Sequence, residues 1–563
     1  MNKKKSRGIL TLPRLRPIVQ TLFLVFFVYL FTKLSYPLEE HITKNFFFNL
    51  DPLIVLALAL SGSAVLATLF VSIAHVIVTV LFGRVFCGWI CPLGTLFDLF
   101  AHIIPKRKVR SPIGNGRYKN IKYYLLGFLL AGSLFGFSAA LFFDPLVFIF
   151  RIFTFNVHPF AILAANTVMN AVRPLALKAG MMNLYMFSLE QPVFNVFGFV
   201  NLILFFAAVG LIYVERRFWC RNLCPLGAFL SLLSRYAPWG RRVSNACIGC
   251  SKCARVCPMN AIGEEYFGTS FRECIQCERC EPVCPTGAIS FGFSGSEKRR
   301  FEFNPSRRGL IFSAVGGFAT ALAAGSASAT KTRHGTLLRP PGSLEESDFL
   351  DACLRCGECM KVCPTNALQP ARLEAGIEGM FTPVLVPRVG GCEEQCNLCG
   401  QVCPTGAIRK LPIEEKQFAV IGNATIERNL CIAWEQLKVC LICDEVCPFD
   451  AVEFKMVTDE KGTLQRPFVV EDKCVGCGQC EMGCPVNGPA AIHVTPINET
   501  RKNTGSYITE EKKKLREVND EGVDFYDNID EQSQSPGTGQ SQPMPWEQPG
   551  AQPDDALPPG FVE

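Results

Sequence analysis

The sequence predicts an α-helical polytopic membrane domain with a two-fold internal repeat, joined to small cysteine-rich α+β domains. The first observation is composition: the 563 residues are 49% hydrophobic, include 46 Phe and are only 19% charged. The second is that 24 of the 28 cysteines fall in six groups of four, each closing with Cys-Pro. Such a chain is neither disordered nor an ordinary soluble enzyme, and it is too long for a secreted disulfide scaffold.

Four spanning helices are predicted, because four long segments lack Asp, Glu, Lys and Arg and a span needs about 20 mostly apolar residues. These segments are residues 17–32, 53–83, 123–143 and 191–214. A fifth uncharged segment, residues 152–172, contains three Asn, one His and one Pro. We expect this polar-containing segment to be interfacial or re-entrant rather than to span.

Basic residues indicate the orientation of these helices. They cluster before the first segment, between the second and third, and after the fourth, so the N-terminus and residues 215–306 should be cytoplasmic. Lys and Arg minus Asp and Glu give +20 for residues 1–330 and −14 for residues 331–563. The two halves are therefore expected in different compartments. The positive charges flank apolar segments, which does not indicate nucleic-acid binding.

The membrane half contains an internal repeat. Asp51-Pro-Leu recurs as Asp144-Pro-Leu, and residues 84–94 (RVFCGWICPLG) recur as residues 217–227 (RFWCRNLCPLG). Both copies run in the same direction, so the repeat axis should lie along the membrane normal. The axis would bring together the i,i+4 pairs Cys87/Cys91 and Cys220/Cys224. Three interpretations stay open: a seventh iron–sulfur site, a redox-active thiol site, or packed structural thiols.

The remaining cysteines have the spacing of bacterial two-cluster ferredoxins, in which three close thiolates hold one cluster and the fourth cysteine crosses to its neighbour. Zinc suits two overlapping quartets with crossed fourth ligands poorly, so we expect six [4Fe–4S] clusters in α+β ferredoxin-like domains. The expected ligand sets are Cys247, Cys250, Cys253 and Cys284; Cys257, Cys274, Cys277 and Cys280; Cys353, Cys356, Cys359 and Cys403; Cys363, Cys392, Cys396 and Cys399; Cys431, Cys440, Cys443 and Cys484; and Cys447, Cys474, Cys477 and Cys480.

Two of these sets depart from the usual spacing. The gap between Cys392 and Cys396 has one extra residue, and eight residues separate Cys431 from Cys440. The position of Cys431 in its set is therefore the least regular of the assignments.

An export signal is predicted inside the chain. Arg307-Arg308 precedes an uncharged stretch, residues 309–330, that ends in Ala327-Ser-Ala, an arrangement that resembles a twin-arginine (Tat) signal. A hydrophobic linker with two chance arginines is the alternative. From about residue 532 the chain is rich in Gln, Ser, Pro and Gly, which is typical of disorder.

The predicted organisation has five parts. They are a membrane domain (residues 1–240), a cytoplasmic two-cluster ferredoxin domain (241–300), a twin-arginine signal-like span (301–330), a periplasmic four-cluster ferredoxin domain (331–510) and a disordered tail (511–563). This arrangement places the protein in a bacterial inner membrane.

Residues 1–300 resemble NapH, a four-span membrane protein with paired Cys-x3-Cys-Pro motifs and a cytoplasmic two-cluster ferredoxin domain. Residues 306–500 resemble the NapG/MauM ferredoxin-type proteins, which have a twin-arginine leader and four clusters. The resemblance implies a quinol dehydrogenase module that takes electrons from membrane quinol and feeds a periplasmic reductase, such as nitrate reductase, or a cytochrome. MauN/MauM and the membrane part of NosR have similar pieces, so a redox sensor or a maturation factor for a periplasmic enzyme is the alternative function. Because these proteins are usually separate chains, the internal leader is expected to remain as a fifth span.

Candidate quinol-site residues come from the membrane half. His75 lies inside the second predicted span, and an intramembrane ionisable group is a functional candidate by default. It would accept a quinol proton, or it is a buried histidine bonded to a backbone carbonyl. Asp51, Asp144, Arg151 and His158 are further candidates near the outer face. The sequence contains no nucleophile triad, phosphate loop or dinucleotide motif, which indicates an electron-transfer module rather than an enzyme with its own substrate pocket.

Overall fold

The apolar N-terminal segment forms a 22-residue helix, α1 (Leu12–Lys33), in the computed structural model of the chain. The structure describes residues 12–35, 45–60, 66–103, 118–135, 142–182, 195–263, 266–293, 306–331, 337–376, 378–459 and 462–510. The basic residues at positions 3–7, those between residues 104 and 117, and the predicted disordered tail lie outside these ranges. The described residues up to Tyr507 belong to one compact unit.

Further helices of the N-terminal half are short or interrupted. They are α2 (Phe46–Asn49), α3 (Pro52–Leu60), α4 (Leu66–Phe82), α5 (Val85–Trp89), α6 (Pro92–Ile103), α7 (Ile121–Leu134), α8 (Pro145–Ile152), α9 (His158–Lys178), α10 (Val196–Gly210) and α11 (Pro225–Leu233). π-helical turns occupy Phe153–Val157 and Trp219–Leu223, and 3₁₀ turns occupy Leu211–Tyr213 and Ser234–Tyr236.

The prediction of one span over residues 53–83 is wrong. Ser72 on α4 donates a hydrogen bond to Asn49 O (2.8 Å), and His75 Nδ1 lies 2.5 Å from Leu50 O. In one straight helix residues 50 and 75 would be about 37 Å apart. The chain therefore turns back between α3 and α4, and the segment forms a helical hairpin. Uniformly apolar composition does not reveal such a turn.

Residues 152–172, predicted to be interfacial or re-entrant, lie within one continuous helix, so they form no re-entrant turn; an interfacial position stays a prediction. Residues Pro145–Lys178 form one apolar helix of 34 residues, with a π-helical turn in its first half. A proline removes one helical hydrogen bond and clashes with the carbonyl four residues earlier, which for Pro159 is that of Phe155. The π-helical turn relieves that clash, and Phe155 O faces Gly198 of α10, where a Cβ would lie only 2.8 Å away.

Two helices among the described residues are long and apolar enough to cross a membrane. They are Pro13–Lys33, with a mean hydropathy of 1.7, and Pro145–Lys178, with 1.8. Shorter apolar helices cover Leu69–Phe82, Ile121–Leu134 and Phe197–Tyr213. The predicted count of four spans is not reproduced by the described helices, and the placement of this domain in a membrane stays a prediction.

The twin-arginine segment forms a helix of its own, α13 (Arg307–Lys331), which packs along α7. The contact is close because its first half presents glycine: a Cβ on Gly317 would lie 2.3 Å from Phe128 O, and one on Gly309 would overlap the Tyr124 ring. The Phe135 and Phe318 rings meet at 4.5 Å. Small residues that allow backbones to approach are typical of helix pairs in membranes.

The cysteine-rich regions consist of short helices and two-stranded antiparallel sheets. The strands are β1 (Trp239–Val243), β2 (Ile289–Phe293), β3 (Leu368–Pro370), β4 (Pro383–Leu385), β5 (Asn423–Ile426), β6 (Val452–Asp459), β7 (Gly462–Val469) and β8 (Ile492–Thr495), paired β1–β2, β3–β4, β5–β8 and β6–β7. The helices are α12 (Lys252–Val256), α14 (Glu346–Ala352), α15 (Glu358–Lys361), α16 (Leu398–Val402), α17 (Ile413–Lys416), α18 (Ile432–Glu435), α19 (Ile442–Glu445) and α20 (Gln479–Gly483). This α+β ferredoxin-like part of the predicted fold class is confirmed.

The first cysteine-rich region (residues 239–293) and the second (residues 337–510) lie at opposite ends of α1. Near its first turn, Arg16 donates to Gly88 O (2.9 Å), and Gly88 packs on Ile275 of the first region. Near its last turn, Phe31 O accepts a hydrogen bond from Lys361 of the second region. Fifteen helical residues, about 22 Å, separate these contacts. The helices therefore lie between the two regions.

An ion bridge closes the second region on itself. Glu346 pairs with Arg339 (2.5 Å) and with Arg501 (2.5 Å), which is 155 residues further along the chain. Burial would raise the pKa of Glu346, but the two guanidinium groups lower it below its usual value. This carboxylate therefore stabilises the fold above its unfolded pKa, and the contribution is lost as the pH falls through its folded pKa.

Glu346→Gln should lower the free energy of unfolding at pH 7 by about 2 kcal/mol, because the carboxylate's charge-assisted bonds are lost. The deficit should begin to shrink as the pH falls below about 4.3, the pKa of a glutamate in the unfolded chain, and should vanish only below the lower pKa of the folded protein. Urea unfolding from pH 7 to pH 3 measures both effects. Glu499→Gln, which neutralises a carboxylate that pairs with Arg501 alone, is the control. A deficit that does not change with pH would contradict this account.

Candidate iron–sulfur sites

Three of the predicted cysteine sets each line a cavity. Cys247, Cys250, Cys253 and Cys284 (the Cys247 quartet) line one of about 320 Å³. Cys447, Cys474, Cys477 and Cys480 (the Cys447 quartet) line one of about 340 Å³. Cys431, Cys440, Cys443 and Cys484 (the Cys431 quartet) line one of about 400 Å³. The structure thus brings each of these crossed sets together, including the irregular set with Cys431.

The other three sets are recognised from thiols that interact electrostatically with one another. They are the Cys257 quartet (Cys257, Cys274, Cys277 and Cys280), the Cys353 quartet (Cys353, Cys356, Cys359 and Cys403) and the Cys363 quartet (Cys363, Cys392, Cys396 and Cys399). In each, three cysteines of one motif face the fourth cysteine of its partner motif, as the sequence predicts.

The donor set fits iron–sulfur clusters. Burial raises the pKa of Cys443 to about 12 and that of Cys477 to about 12. Iron binds the thiolate, so cluster binding offsets the cost of ionising these buried groups and stabilises the fold. Among the described residues, no three His, Cys, Asp or Glu side chains converge closely enough for a single metal ion. Four cysteines around one cavity, as in three of these sets, are the donor set that iron–sulfur clusters use.

The four quartets of the second region form a series whose order differs from that of the sequence. Cys359 interacts with Cys399, which joins the Cys353 and Cys363 quartets. Cys392 N donates to Cys477 O (2.7 Å), which joins the Cys363 and Cys447 quartets.

The series ends at the Cys431 quartet. Its Cys443 interacts with Cys480 of the Cys447 quartet. The spatial order of the four sites is therefore Cys353, Cys363, Cys447 and Cys431. The Cys431 quartet is therefore the last site in space, although the motif that begins at Cys474 is the last one in the sequence.

The internal repeat brings four further thiols together. Cys91 interacts with Cys220 and Cys87, and Cys224 interacts with the same two. We name this set the Cys87 quartet. Its members are buried apart from Cys87, which is half-buried. The expectation that the pseudo-twofold axis gathers these cysteines agrees with this geometry.

Two buried arginines flank the Cys87 quartet, and sequence reasoning missed their role. Arg84 Nη2 lies 3.9 Å from Cys87 Sγ, and Arg217 Nη1 donates to Cys87 O (2.9 Å). Each arginine lies three residues before the first cysteine of its repeat, and this shared position was the sequence signal from which their role beside the cysteines could have been predicted. Arg84 pairs with Glu273 and Arg217 with Asp98, so both cations are neutralised inside the fold.

The Cys87 quartet adjoins the first ferredoxin-like region. Cys87 packs in one apolar cluster with Ile275 and Cys277. Trp89 Nε1 donates to Gln276 O (2.9 Å). A Cβ on Gly88 would lie 2.2 Å from Ile275 O, so the two backbones are in direct contact. The Cys257 quartet is therefore the neighbour of the Cys87 quartet.

On the other side, aromatic and cationic side chains connect the Cys87 quartet to the second region. Trp219, next to Cys220, stacks on Phe148 at 5.2 Å. Arg151 lies 5.9 Å from the Phe148 ring and 5.0 Å from the Phe381 ring, and it interacts with Cys356.

The second region rests on the π-helical turn of the long helix. A Cβ on Gly357 would lie 3.0 Å from Thr154 Cγ2 and 3.2 Å from the Phe155 ring. Gly357 follows Cys356, so the Cys353 quartet is the one nearest the helices. Its neighbour Glu358 is buried, and burial raises the pKa of this carboxyl to about 8.

Of the predicted quinol-site residues, Asp51 and Asp144 lie together, and His75 is beside them through its bond to Leu50. His75 Nδ1 meets Leu50 O, and its Nε2 has no hydrogen-bond partner in the described part of the chain. Asp51 and Asp144 each cap a helix N-terminus through backbone N–H groups and lie against each other, fully buried. His158 lies beside Phe31 near Lys361. His75 is therefore a carbonyl-bonded histidine, and its role with quinol stays a prediction.

Comparison with protein-family models agrees with this set of sites. A model described as "4Fe-4S binding domain" matches residues 64–112 and 197–246, the two copies of the internal repeat that contain the Cys87 quartet. Models described as "4Fe-4S dicluster domain" match residues 246–289, and residues 352–407 and 438–487. The chain is thus an iron–sulfur electron-transfer protein of ferredoxin type.

Curated relatives narrow this class. The chain is 38% identical over 203 residues to "Methylamine utilization ferredoxin-type protein MauM" of Methylorubrum extorquens, covering 34% of this chain and 90% of the relative. It is 33% identical over 206 residues to "Ferredoxin-type protein NapG" of Escherichia coli, covering 36% of this chain and 88% of the relative. The chain belongs to the MauM/NapG family of ferredoxin-type proteins. No solved structure matches it.

Proposed function

We propose that the chain is a transmembrane conduit that takes electrons from membrane quinol and delivers them to a periplasmic reductase or cytochrome. The observation that carries this proposal is the placement of seven cysteine quartets. Three adjoin one another at one end of the helices, and four form an ordered series that begins at the other end. When bound, a [4Fe–4S] cluster supplies one-electron transfer. The 28 cysteines would hold six such clusters and a seventh in the Cys87 quartet.

The surface of the helices supports placement in a bilayer. Large apolar side chains point outward along α1 and α4, among them Leu22 (61% exposed) and Phe70 (78% exposed). Contiguous exposed apolar surface of this kind is typical of contact with lipid or a partner. Residues 1–300 would then form a NapH-like membrane part, fused to the NapG/MauM-like part.

Quinol oxidation is tested with the purified full chain in detergent. Addition of a reduced water-soluble quinol should bleach the visible iron–sulfur absorbance, and the oxidised quinone should not. Dithionite reduction of the same sample is the control for cluster loading. Bleaching by dithionite without any bleaching by quinol would refute quinol oxidation. The maturation role would be favoured instead if the periplasmic partner enzyme lacks its own cofactor in a strain from which this protein has been deleted.

The topology has its own test at the twin-arginine motif. Arg307→Lys together with Arg308→Lys should retain the second region in the cytoplasm, because folded cluster-containing cargo requires the twin-arginine route. A reporter fused after Glu563 should change from periplasmic to cytoplasmic, while the helices before residue 300 still insert. Paired substitution of Arg372 and Arg388 by Lys is the matched control. A reporter that is cytoplasmic in the parent protein would disprove this arrangement.

A further inference from the structure

The eight residues between Cys431 and Cys440 lie over the last quartet of the series. This insertion begins with α18, whose Trp434 side chain is fixed in the fold. The Trp434 ring meets Phe468 of β7 at 5.5 Å, and Arg466 and Arg428 lie 4.7 Å and 4.3 Å from its centre. Trp434 Nε1 also lies 3.4 Å from Pro467 O. One end of the insertion is therefore held rigidly against the β6–β7 hairpin.

The second half of the insertion and the residues that flank its two cysteines are apolar and exposed. Val439 is 68% exposed, and Leu430, Leu437 and Leu441 are each 37% exposed. Leu437 has a φ of 54°, a left-handed conformation that is costly for a branched side chain. Isolated exposed apolar residues need no explanation, but four within twelve residues beside a redox site indicate a contact surface.

Acidic residues outnumber basic ones around this surface: between residues 427 and 450 the chain has five acidic residues and two basic ones, Arg428 and Lys438. Asp444 follows Cys443 and interacts with Glu445 and Asp450, and the three carboxylates form one negative group. Their shared field attracts a positively charged partner and increases the rate of encounter. Because the Cys431 quartet is the last site of the series, electrons reach the surface of the protein beside this group.

We propose that Leu430, Leu437, Val439 and Leu441, bordered by Asp444, Glu445 and Asp450, form the docking surface for a basic one-electron carrier of the c-type cytochrome class. The [4Fe–4S] group held by the Cys431 quartet is oxidised by one electron, and the ferric haem of the partner is reduced to ferrous haem. No bond is formed and no proton moves. The proposal extends the delivery of electrons to a periplasmic acceptor, and it does not depend on how electrons enter the chain.

The test uses Val439→Lys in the full chain, with mitochondrial-type cytochrome c as the basic probe. Dithionite reduces the protein and is then removed, so a failure of quinol oxidation does not affect the result. The Kd for the oxidised proteins, measured by surface plasmon resonance, should rise about tenfold, and the second-order electron-transfer rate should fall by a similar factor. Met456→Lys, on the exposed face of β6 at 63% exposure, is the matched control and should change neither.

Ionic strength tests the acidic border separately. Binding of the parent protein to the probe should weaken steeply between low and high salt, because the attraction is screened. Glu445→Gln combined with Asp450→Asn should bind more weakly at low salt and show a flatter salt dependence. An equal Kd for Val439→Lys and Met456→Lys, or salt-independent binding of the parent protein, would overturn the proposal.

Discussion

Cys477→Ala should stop electrons at the second site of the four-site series. The Cys447 quartet lies between the Cys363 and Cys431 quartets, so its loss removes the step that joins them. We expect quinol to reduce the iron–sulfur groups before the gap and to leave those of the Cys431 quartet oxidised. Iron content should fall by about four atoms per chain. Electron paramagnetic resonance after quinol addition measures which sites are reduced.

The matched control is Cys431→Ala, which removes the last site and leaves the preceding three connected. Both variants should lose a similar amount of iron, but only Cys477→Ala should strand an intact oxidised site. Dithionite should reduce every remaining site in both variants. If quinol still reduces the iron–sulfur group at the Cys431 quartet of the Cys477→Ala protein, the spatial order of the four quartets given above is wrong.

Asp98→Asn should destabilise the helical part by about 3–5 kcal/mol, because it leaves buried cations uncompensated. The Asp98 carboxylate meets Arg16 at 2.5 Å, Arg217 at 3.0 Å and Arg279 at 3.7 Å. Arg217 also holds the Cys87 backbone, so the variant should lose iron from the Cys87 quartet first. Thermal unfolding in detergent, followed by iron analysis, measures both effects.

Glu453→Gln is the control for Asp98→Asn. Glu453 meets Lys455 and Lys473 at 3.5 Å and 3.7 Å on an exposed hairpin, where such pairs contribute under about 1 kcal/mol. A melting temperature of Asp98→Asn equal to that of Glu453→Gln would contradict the proposed role of the cluster.

The ferredoxin-like regions could be predicted closely from the sequence because the local spacing of their cysteines determines how each site is built. Three cysteines within a few residues define each site, and the crossed fourth cysteine follows from a known arrangement. The irregular Cys431 gap was harder, yet the structure gathers Cys431 with the expected three cysteines. The spatial order of the quartets could not be read, because it depends on packing between motifs far apart in sequence.

The helical part was predicted less well, and for a physical reason. A continuous run of apolar residues contains no sequence signal that distinguishes one long helix from a helical hairpin. Residues 53–83 are such a run, and they turn back between α3 and α4. Polar residues and Pro159 misled in the opposite direction, because a π-helical turn lets the long helix continue through them. The Asp51 and Asp144 repeat was recognisable, and both side chains cap a helix start.

The crossing of the fourth cysteine also has a consequence for biosynthesis. The Cys353 quartet cannot close until Cys403 has left the ribosome, and the Cys431 quartet must wait for Cys484. The last two sites of the series share this dependence, because Cys447 and Cys484 each serve the neighbouring motif. Assembly of each site in the second region must therefore wait for the motif that follows it, and a chain truncated after Cys447 would lack a complete ligand set for either of its last two sites.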